Sequence, residues 1–171
     1  MEDLRADTLP TIDYNAVNYL LLKGLNTSYW EIVETNPVDT RFTNLITRFA
    51  LTEPYVFPRA INNNALDKLL SLVAELEINR VVTDSPSSLA EYGLLNPRFE
   101  LIIRDTAGNT MELLVGDQTE EEVFIKFADR GTIYATLISD TSFLDVRAFE
   151  LTDKFILILN IDVVDAIGAH N

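Results

Sequence analysis

The apolar residues between positions 58 and 97 recur with the period of an α-helix, and the rest of the chain is arranged around this stretch. On one side of the predicted helix the apolar side chains are three and four residues apart: Leu66, Leu69, Leu70, Val73 and Leu76. The opposite side is polar, so we expect a helix within residues 61–77 with one face on a hydrophobic core. Asn62 and Asn64 are equally good N-cap candidates, because an asparagine side chain can accept a hydrogen bond from a free N–H of the first turn.

A second, shorter helix is predicted directly downstream. Ser85 is a favourable N-cap, and Pro86 suits the first helical position, where the missing N–H of proline costs nothing. The serines of this segment could also be considered as nucleophiles, but no G-x-S-x-G turn surrounds them. We therefore interpret them as capping residues.

The end of this short helix is predicted from the residues that follow Glu91. Gly93 lies where a residue in the left-handed conformation ends a helix after Tyr92, and Leu94 would then contact Leu89, as in a Schellman motif. Pro97 prevents any continuation of the helix.

After Pro97 the apolar residues alternate, which is the pattern of β-strands. Two alternating segments are separated by the turn-forming residues 105–109, with the apolar positions Phe99, Leu101 and Ile103 before the turn and Met111, Leu113 and Val115 after it. This pattern predicts a β-hairpin whose second strand is closed by Gly116.

Shorter segments complete the predicted element order. Strands are expected at residues 17–23, 29–33, 80–82, 123–128, 132–137, 154–159 and 161–167. Helices are expected at residues 40–49 and from Ser139 or Asp140 to residue 149.

Together these elements predict one α+β domain of mostly antiparallel strands with helices packed on the sheet. Residues 1–13 form a polar leader that we expect to be frayed, and residues 14–171 form the domain. Within it, residues 14–60 are a strand-rich lead-in, and residues 97–167 are the hairpin meander with its closing helix. The element order of the two halves is faintly similar, which suggests a weak internal duplication without a repeated residue motif.

The composition excludes several classes of site. The 171 residues include 13 basic and 27 acidic ones, a formal net charge of −14, which repels nucleic-acid phosphates and anionic lipid headgroups. The chain has no cysteine, and its one histidine is His170, next to the C-terminus. We therefore expect no metal site, no cofactor and no nucleic-acid partner. No apolar run approaches the roughly 20 residues of a membrane-spanning helix.

Several short segments share a pattern with one bacterial family. They are Trp30-Glu31-Ile32, Glu53-Pro54, Leu66-x-x-Leu69-Leu70, Arg80-Val81-Val82, Leu89 to Pro97, Leu114 to Asp117, Ile133-Tyr134 and Leu151 to Lys154. This combination, over about residues 17–167, resembles the family catalogued as domain of unknown function 4340. Its most specific part is the tyrosine-glycine-leucine-x-x-proline element that begins at Tyr92.

The resemblance implies an extracytoplasmic domain that an N-terminal transmembrane helix tethers to the membrane. It also implies genes beside ABC-2 or gliding-motility-type transporter components, and it supplies no catalytic residues. The chain departs from the family in lacking an anchor, in its acidic residues 120–122, and in an inserted segment at residues 40–49. We expect the native gene to encode an apolar stretch of about 20 residues before Asp3.

On this basis we expect a non-enzymatic, envelope-facing accessory or protein-interaction module linked to an ABC-type transporter assembly. The alternative is a small-ligand or glycan-binding domain whose contact surface is aromatic: Tyr29, Trp30, Tyr55 and Tyr134. Aromatic residues in strands are, however, more often part of the core.

Three structural observations would separate these hypotheses. Clustered exposed rings in a concave site would favour a ligand, and a flat apolar patch would favour a protein partner. Two facing carboxylates in a pocket would favour an enzyme, which is the third hypothesis.

Overall fold

A computed structural model of the chain describes residues 9–154, with the exception of residues 26–28, 37, 43–44 and 46. Nine strands lie in this range: β1 (Val17–Gly24), β2 (Trp30–Glu34), β3 (Phe49–Glu53), β4 (Arg59–Ala60), β5 (Arg80–Thr83), β6 (Phe99–Asp105), β7 (Thr110–Gln118), β8 (Glu122–Phe127) and β9 (Ile133–Leu137). They form one sheet in the order β4-β3-β2-β1-β6-β7-β8-β9-β5. All neighbouring pairs are antiparallel.

Two α-helices accompany the sheet in the described ranges, α1 (Asn63–Ala74) and α2 (Ala148–Leu151). Four segments are 3₁₀ helices: Tyr14–Ala16, Thr40–Phe42, Ala90–Tyr92 and Ile138–Asp145. None of the helices in these ranges is long and apolar enough to cross a membrane.

The hairpin predicted after Pro97 is confirmed as β6 and β7. The predicted apolar positions lie opposite one another, Phe99 with Val115, Leu101 with Leu113 and Ile103 with Met111. Because side chains alternate between the two faces of a sheet, the apolar set of both strands points to one side, where it is largely buried. The pairs β1–β2 and β8–β9 also form within one or two residues of the predicted segments.

Helix α1 confirms the central helix, although it is shorter than residues 61–77. Asn62 is its N-cap, since its side-chain oxygen accepts a hydrogen bond from the N–H of Ala65 at 3.1 Å. Leu66, Leu69 and Val73 are buried in the same core as the inward residues of the strands. The structure thus decides between the two asparagines that the sequence left open.

The helix predicted to begin at Ser85 and Pro86 is wrong. Only Ala90–Tyr92 form a helical turn, of the 3₁₀ type. Side-chain oxygens upstream bind the backbone donors instead, because Thr83 accepts from the N–H of Ser85 and Ser88 accepts from the N–H of Ala90. Such local bonds compete with the start of a helix.

The predicted end of this segment is confirmed. Gly93 is left-handed, with φ +67°. The N–H of Leu94 donates to the carbonyl of Leu89 at 2.9 Å, and the N–H of Gly93 donates to the carbonyl of Ala90 at 3.2 Å. This pair of hydrogen bonds is the backbone signature of a Schellman motif.

The helix predicted at residues 40–49 is also wrong. Among the described residues of this segment, Thr40–Phe42 form a single 3₁₀ turn and Phe49 begins β3. Ala50 and Leu51 pair with Val33 and Ile32 of β2, and both are fully buried. Burial and cross-strand pairing therefore outweigh the helical spacing of the apolar residues here.

The closing helix predicted up to residue 149 is replaced by two shorter elements. The 3₁₀ segment Ile138–Asp145 has no side-chain N-cap, and α2 begins only after Arg147. The break follows from two bonds: Trp30 Nε1 donates to the carbonyl of Val146 at 3.1 Å, and the Glu150 carboxylate accepts from the N–H of Arg147 at 2.7 Å. Both groups would otherwise belong to a continuous helix.

The predicted fold is confirmed in its coarser form, a single domain of mostly antiparallel strands with few helices. Of the predicted leader, residues 9–13 are described, and Ile12 is buried in the core. The strands predicted at residues 154–159 and 161–167 lie outside the described residues except for Lys154, and so does His170. The internal duplication stays a prediction.

Candidate functional site

The tyrosine-glycine-leucine-x-x-proline element that begins at Tyr92 packs closely against β7. We call this contact between the two segments the joint. Leu94 is buried and lies against Gly116 of β7. A Cβ atom on Gly116 would overlap the carbonyl oxygen of Tyr92, and one on Gly93 would lie 2.5 Å from the carboxyl carbon of Asp117. The motif therefore serves the close approach of two backbones.

A β-bulge accommodates this joint. Val115 pairs with Ile125 but Gln118 pairs with Val123, so β7 carries one residue more than β8 between these pairs. The ring of Tyr92 packs edge-on against Phe124 of β8, with the ring centroids 5.2 Å apart. Pro97 then leads into β6. Ser85 and Pro86 lie outside the joint.

Two of the four aromatic residues predicted to form a ligand surface belong to the core. Trp30 is fully buried and bonded to the Val146 carbonyl, and Tyr134 is 3% exposed. These side chains cannot reach a ligand at the surface, so the predicted four-residue aromatic surface is wrong. Tyr29 is exposed and Tyr55 is half-buried, and both lie at one end of the sheet.

Each of these two tyrosines lines a shallow cleft, and Pro54 separates the clefts. Cleft A has a volume of about 580 Å³ and is lined by Tyr29, Pro54, Phe99, Leu144, Asp145, Arg147 and Ala148. Cleft B has a volume of about 420 Å³ and is lined by Glu31, Arg41, Thr52, Glu53, Pro54, Tyr55, Val56 and Pro58. The two clefts open at the end of the sheet where β2 begins and β3 ends.

Cleft B contains a cross-strand pair of glutamates, Glu31 on β2 and Glu53 on β3. One carboxylate oxygen of Glu31 accepts from the hydroxyl of Tyr19 at 3.0 Å, and the other accepts from the hydroxyl of Thr52 at 2.6 Å. The position of the Glu31 carboxylate is thus fixed by two hydroxyl groups. No hydrogen bond within the described residues involves the Glu53 carboxylate.

The negative charge of this pair helps to raise the pKa values of the neighbouring tyrosines. Burial and then the hydrogen bond to Glu31 raise the pKa of Tyr19 to about 12. Burial raises the pKa of Tyr29 as well, and the charges of Glu53 and Glu31 add to the effect. Both phenols therefore stay protonated at neutral pH and can donate hydrogen bonds.

Five exposed apolar side chains lie along the same end of the sheet. Val56 and Phe57 follow β3, Tyr29 precedes β2, Leu25 follows β1 and Leu95 precedes β6. The antiparallel order of these four neighbouring strands places all five at one end. We call these residues the apolar rim.

The apolar rim places most of the large exposed apolar side chains of the described residues in one short row. Val56 is 91% exposed and Phe57 is 74% exposed. At a strand spacing of ~4.8 Å, the row across four strand ends is roughly 14 Å long. Among the described residues, only three other large apolar side chains are exposed: Val38, Leu137 and Phe149.

Acidic side chains flank the apolar rim. Asp117, Glu120 and Glu121 are exposed around the β7–β8 connection, which lies at the same end of the sheet. Glu122 differs from them, because it accepts from Arg80 at 2.7 Å and from Asn79 at 2.6 Å. The hydrogen bonds from Arg80 and then from Asn79 lower the pKa of Glu122.

The described part of the chain offers little for metal chemistry. It contains no group of three or more histidine, cysteine, aspartate or glutamate side chains that could hold a metal ion.

The sequence pattern alone missed the apolar rim and the glutamate pair. Val56 and Phe57 stand between two prolines, Pro54 and Pro58, in a segment that the sequence pattern assigns only to the strand-rich lead-in. Two large apolar residues in such a short proline-bounded loop were the available signal. Leu25, Leu95 and the pairing of Glu31 with Glu53 depend on strand register and carry no local signal.

Comparison with known proteins identifies a family and no characterised relative. The family model described as domain of unknown function (DUF4340) matches residues 50–169. Neither a curated protein nor a solved structure matches the chain.

Proposed function

The chain belongs to the domain-of-unknown-function family DUF4340, and we propose that it is a non-enzymatic protein-interaction module that binds its partner through the apolar rim. One observation carries this proposal. Five large apolar side chains that a folded domain would normally bury lie together across four strand ends. Clustered apolar exposure of this kind is typical of interaction surfaces, whereas single exposed apolar residues are ordinary.

The cellular setting of the proposal comes from the family resemblance. We propose that the domain faces the cell envelope, tethered by a membrane anchor in the full-length protein, and that it is an accessory of an ABC-type transporter assembly. A protein partner in the envelope is then the natural occupant of the apolar rim.

A small ligand is the second candidate function, and cleft A favours it. Its volume of about 580 Å³ lies within the usual range of ligand pockets. Tyr29 and Phe99 are its aromatic residues, and Arg147 and Asp145 are its charged residues, so a largely apolar molecule with a polar group would fit its chemistry. The burial of Trp30 and Tyr134 weighs against the broader aromatic surface that a glycan would need.

The non-enzymatic part of the proposal is supported by the state of Glu31. Both of its carboxylate oxygens accept hydrogen bonds from hydroxyl groups of the domain itself. These bonds make Glu31 a poor general base, because a general base must accept a proton from the substrate.

The proposal is tested by site-specific photo-crosslinking of the full-length gene product in cells. A photoreactive phenylalanine analogue replaces Phe57 in one variant and Val38 in the control. Val38 is 86% exposed, lies in the β2–β3 connection and is not part of the apolar rim. We expect a discrete protein crosslink from position 57 that is absent from position 38 and lost when Leu95→Ser is added.

Other outcomes would contradict the proposal. Equal crosslinking from both positions would show non-specific contact, and crosslinking from position 57 to lipid alone would make the apolar rim a membrane contact. A crosslink with twice the mass of the chain would identify a second copy as the occupant.

A further inference from the structure

We propose that the segment that docks on the apolar rim carries a lysine or arginine beside its apolar side chains, and that Glu31 and Glu53 bind this cation. The inference rests on the interaction function proposed above and specifies the chemistry of the partner. It follows from the charges that surround the apolar rim and from the way in which the local basic side chains are already engaged.

The glutamate pair adjoins the apolar rim directly. Cleft B contains Glu31 and Glu53 together with Val56 of the apolar rim. The pKa of Tyr29, also in the apolar rim, is raised in part by the charges of the two glutamates. If an apolar side chain of the partner packs against Val56 or Tyr29, the next residue of the partner therefore lies within reach of the two carboxylates.

Three basic side chains at this end of the sheet contact other groups of the domain, and a fourth, Arg147, lines cleft A with Tyr29. The guanidinium of Arg59 lies over the ring of Tyr55 at 5.5 Å from its centroid. Arg98 donates to the Gln118 side chain at 2.7 Å and lies over the ring of Phe99. Arg41, in cleft B, donates to both carboxylate oxygens of Asp39, and this hydrogen bonding is the largest cause of its raised pKa, to which the charge of Glu31 adds.

Acidic side chains outnumber basic ones near the apolar rim, and Arg41 is already paired with Asp39. The Glu53 carboxylate makes no hydrogen bond within the described residues, and Asp117, Glu120 and Glu121 are exposed further along the same end. A carboxylate pair beside the ring of Tyr29 offers a cation both ion pairing and contact with an aromatic face. An acidic segment would be repelled at the same place.

The charge also argues against a second copy as the occupant. Two chains with a formal net charge of −14 each would bring their acidic flanks together if both used this surface. Like-charge contacts of this kind cost association energy and slow the encounter. A basic partner is favoured on both counts.

The experiment measures the affinity of the domain for short fluorescent peptides that alternate leucine with lysine, glutamine or glutamate. The test variant combines Glu31→Gln and Glu53→Gln; the amide oxygen at position 31 can accept from one of the two hydroxyls of Tyr19 and Thr52, and the amide NH2 can donate to the other. The control combines Asp67→Asn and Glu75→Gln, two exposed acidic residues of the α1 region, and changes the net charge by the same amount. Thermal melts verify that both variants fold.

We expect the lysine peptide to bind most tightly to the wild-type domain. The Glu31/Glu53 variant should bind it roughly three- to tenfold more weakly than the control variant does, which is the range for two partly exposed ion pairs. Binding of the glutamine peptide should be the same for both variants.

Two results would overturn the proposal. If the Glu31/Glu53 variant binds the lysine peptide as well as the control variant, the cation is not bound by this pair. If the glutamate peptide binds best, the partner has the opposite charge.

The interaction function itself is tested by Phe57→Ser, which should weaken the binding of all three peptides. That variant distinguishes the two proposals. A loss with Phe57→Ser and none with the glutamate variant retains the apolar rim and rejects only the basic partner. No effect of Phe57→Ser, together with no crosslink from position 57, rejects the apolar rim as an interaction surface.

Discussion

Gly93 and Gly116 are the residues at which two backbones approach more closely than a side chain would permit, but for different reasons. Gly93 has a left-handed φ and also faces Asp117, whereas Gly116 has only the steric requirement, against the Tyr92 carbonyl. Gly108, in the β6–β7 turn, has φ +91°, and no atom lies within 4 Å of the point that a Cβ would occupy there. Substitutions at these three glycines can therefore distinguish the cost of a left-handed backbone conformation from the cost of steric overlap.

Replacing Gly93 by alanine should therefore destabilise the domain more than replacing Gly108. Both substitutions place alanine at positive φ, which costs about 1–2 kcal/mol. Only Gly93→Ala adds an overlap with Asp117, whose backbone nitrogen would lie 2.7 Å from the new Cβ. Urea unfolding of both variants measures the two losses of free energy. Equal losses would mean that the Asp117 segment moves aside without cost.

Asp105 is a buried carboxylate whose charge serves the fold. It accepts hydrogen bonds from the N–H groups of Asp13 and Asn109 and from the Asn109 side chain. The side-chain bond from Asn109 is the largest cause of a lowered pKa. Asp105 thereby connects the N-terminal segment to the β6–β7 turn.

A lowered pKa makes the contribution of Asp105 dependent on pH. It is present above the pKa of an unfolded aspartate, about 3.9, and is lost as the pH falls through the lower pKa of the folded state. Asp105→Asn should therefore be less stable than the wild type at pH 7, and the two should converge in acid. Thermal melts at several pH values test this, with the exposed Asp67→Asn as control. A difference that is constant with pH would assign the loss to packing.

At the level of secondary structure, success depended on whether local pattern and tertiary pairing agreed. Phe99, Leu101 and Ile103 alternate along the chain and also meet an alternating partner strand, so the hairpin was predicted correctly, although β7 continues two residues beyond the predicted end at Gly116. At residues 40–49 the apolar spacing was helical, but Phe49 and Leu51 gain more by joining the sheet beside β2. Such pairing over distance is absent from any local window.

The N-cap assignment of helix α1 can be tested by substitution. Asn62→Ala removes the side-chain bond to the N–H of Ala65 and should lower the free energy of unfolding by about 1 kcal/mol. Asn64→Ala, two residues later and exposed inside the helix, should leave it unchanged or raise it slightly, since alanine has the higher helix propensity. Urea unfolding of the two variants measures the difference. A larger loss for Asn64→Ala would place the N-cap there.

For the whole molecule, the candidate site was harder to predict than the fold. Trp30 and Tyr29 are neighbours in the sequence, yet one is fully buried and the other belongs to the apolar rim, because adjacent residues at a strand start point to different surroundings. Leu25, Phe57 and Leu95 come together only through the order of four strands. Composition indicated an acidic surface but could not show that part of it adjoins exposed apolar side chains.

The excess of acidic residues should also govern how the folded domain responds to salt. A formal net charge of −14 is confined to a small volume in the folded state and relaxes on unfolding, so self-repulsion opposes folding at low ionic strength. Exposed ion pairs such as Lys23–Glu100 and Arg48–Glu34 act in the other direction, but each contributes at most about 1 kcal/mol. Repulsion among the unpaired carboxylates is therefore the larger effect.

Raising the NaCl concentration should accordingly raise the melting temperature. Between about 10 mM and 150 mM salt the screening length falls from about 30 Å to about 8 Å, which removes most repulsion between charges on opposite sides of the domain. Glu120→Lys with Glu121→Lys, at two exposed positions, should melt higher than the wild type at low salt and respond less to added NaCl. Calorimetry or circular dichroism measures both slopes. A melting temperature that falls with salt would mean that the ion pairs dominate and that the acidic surface is balanced within the fold.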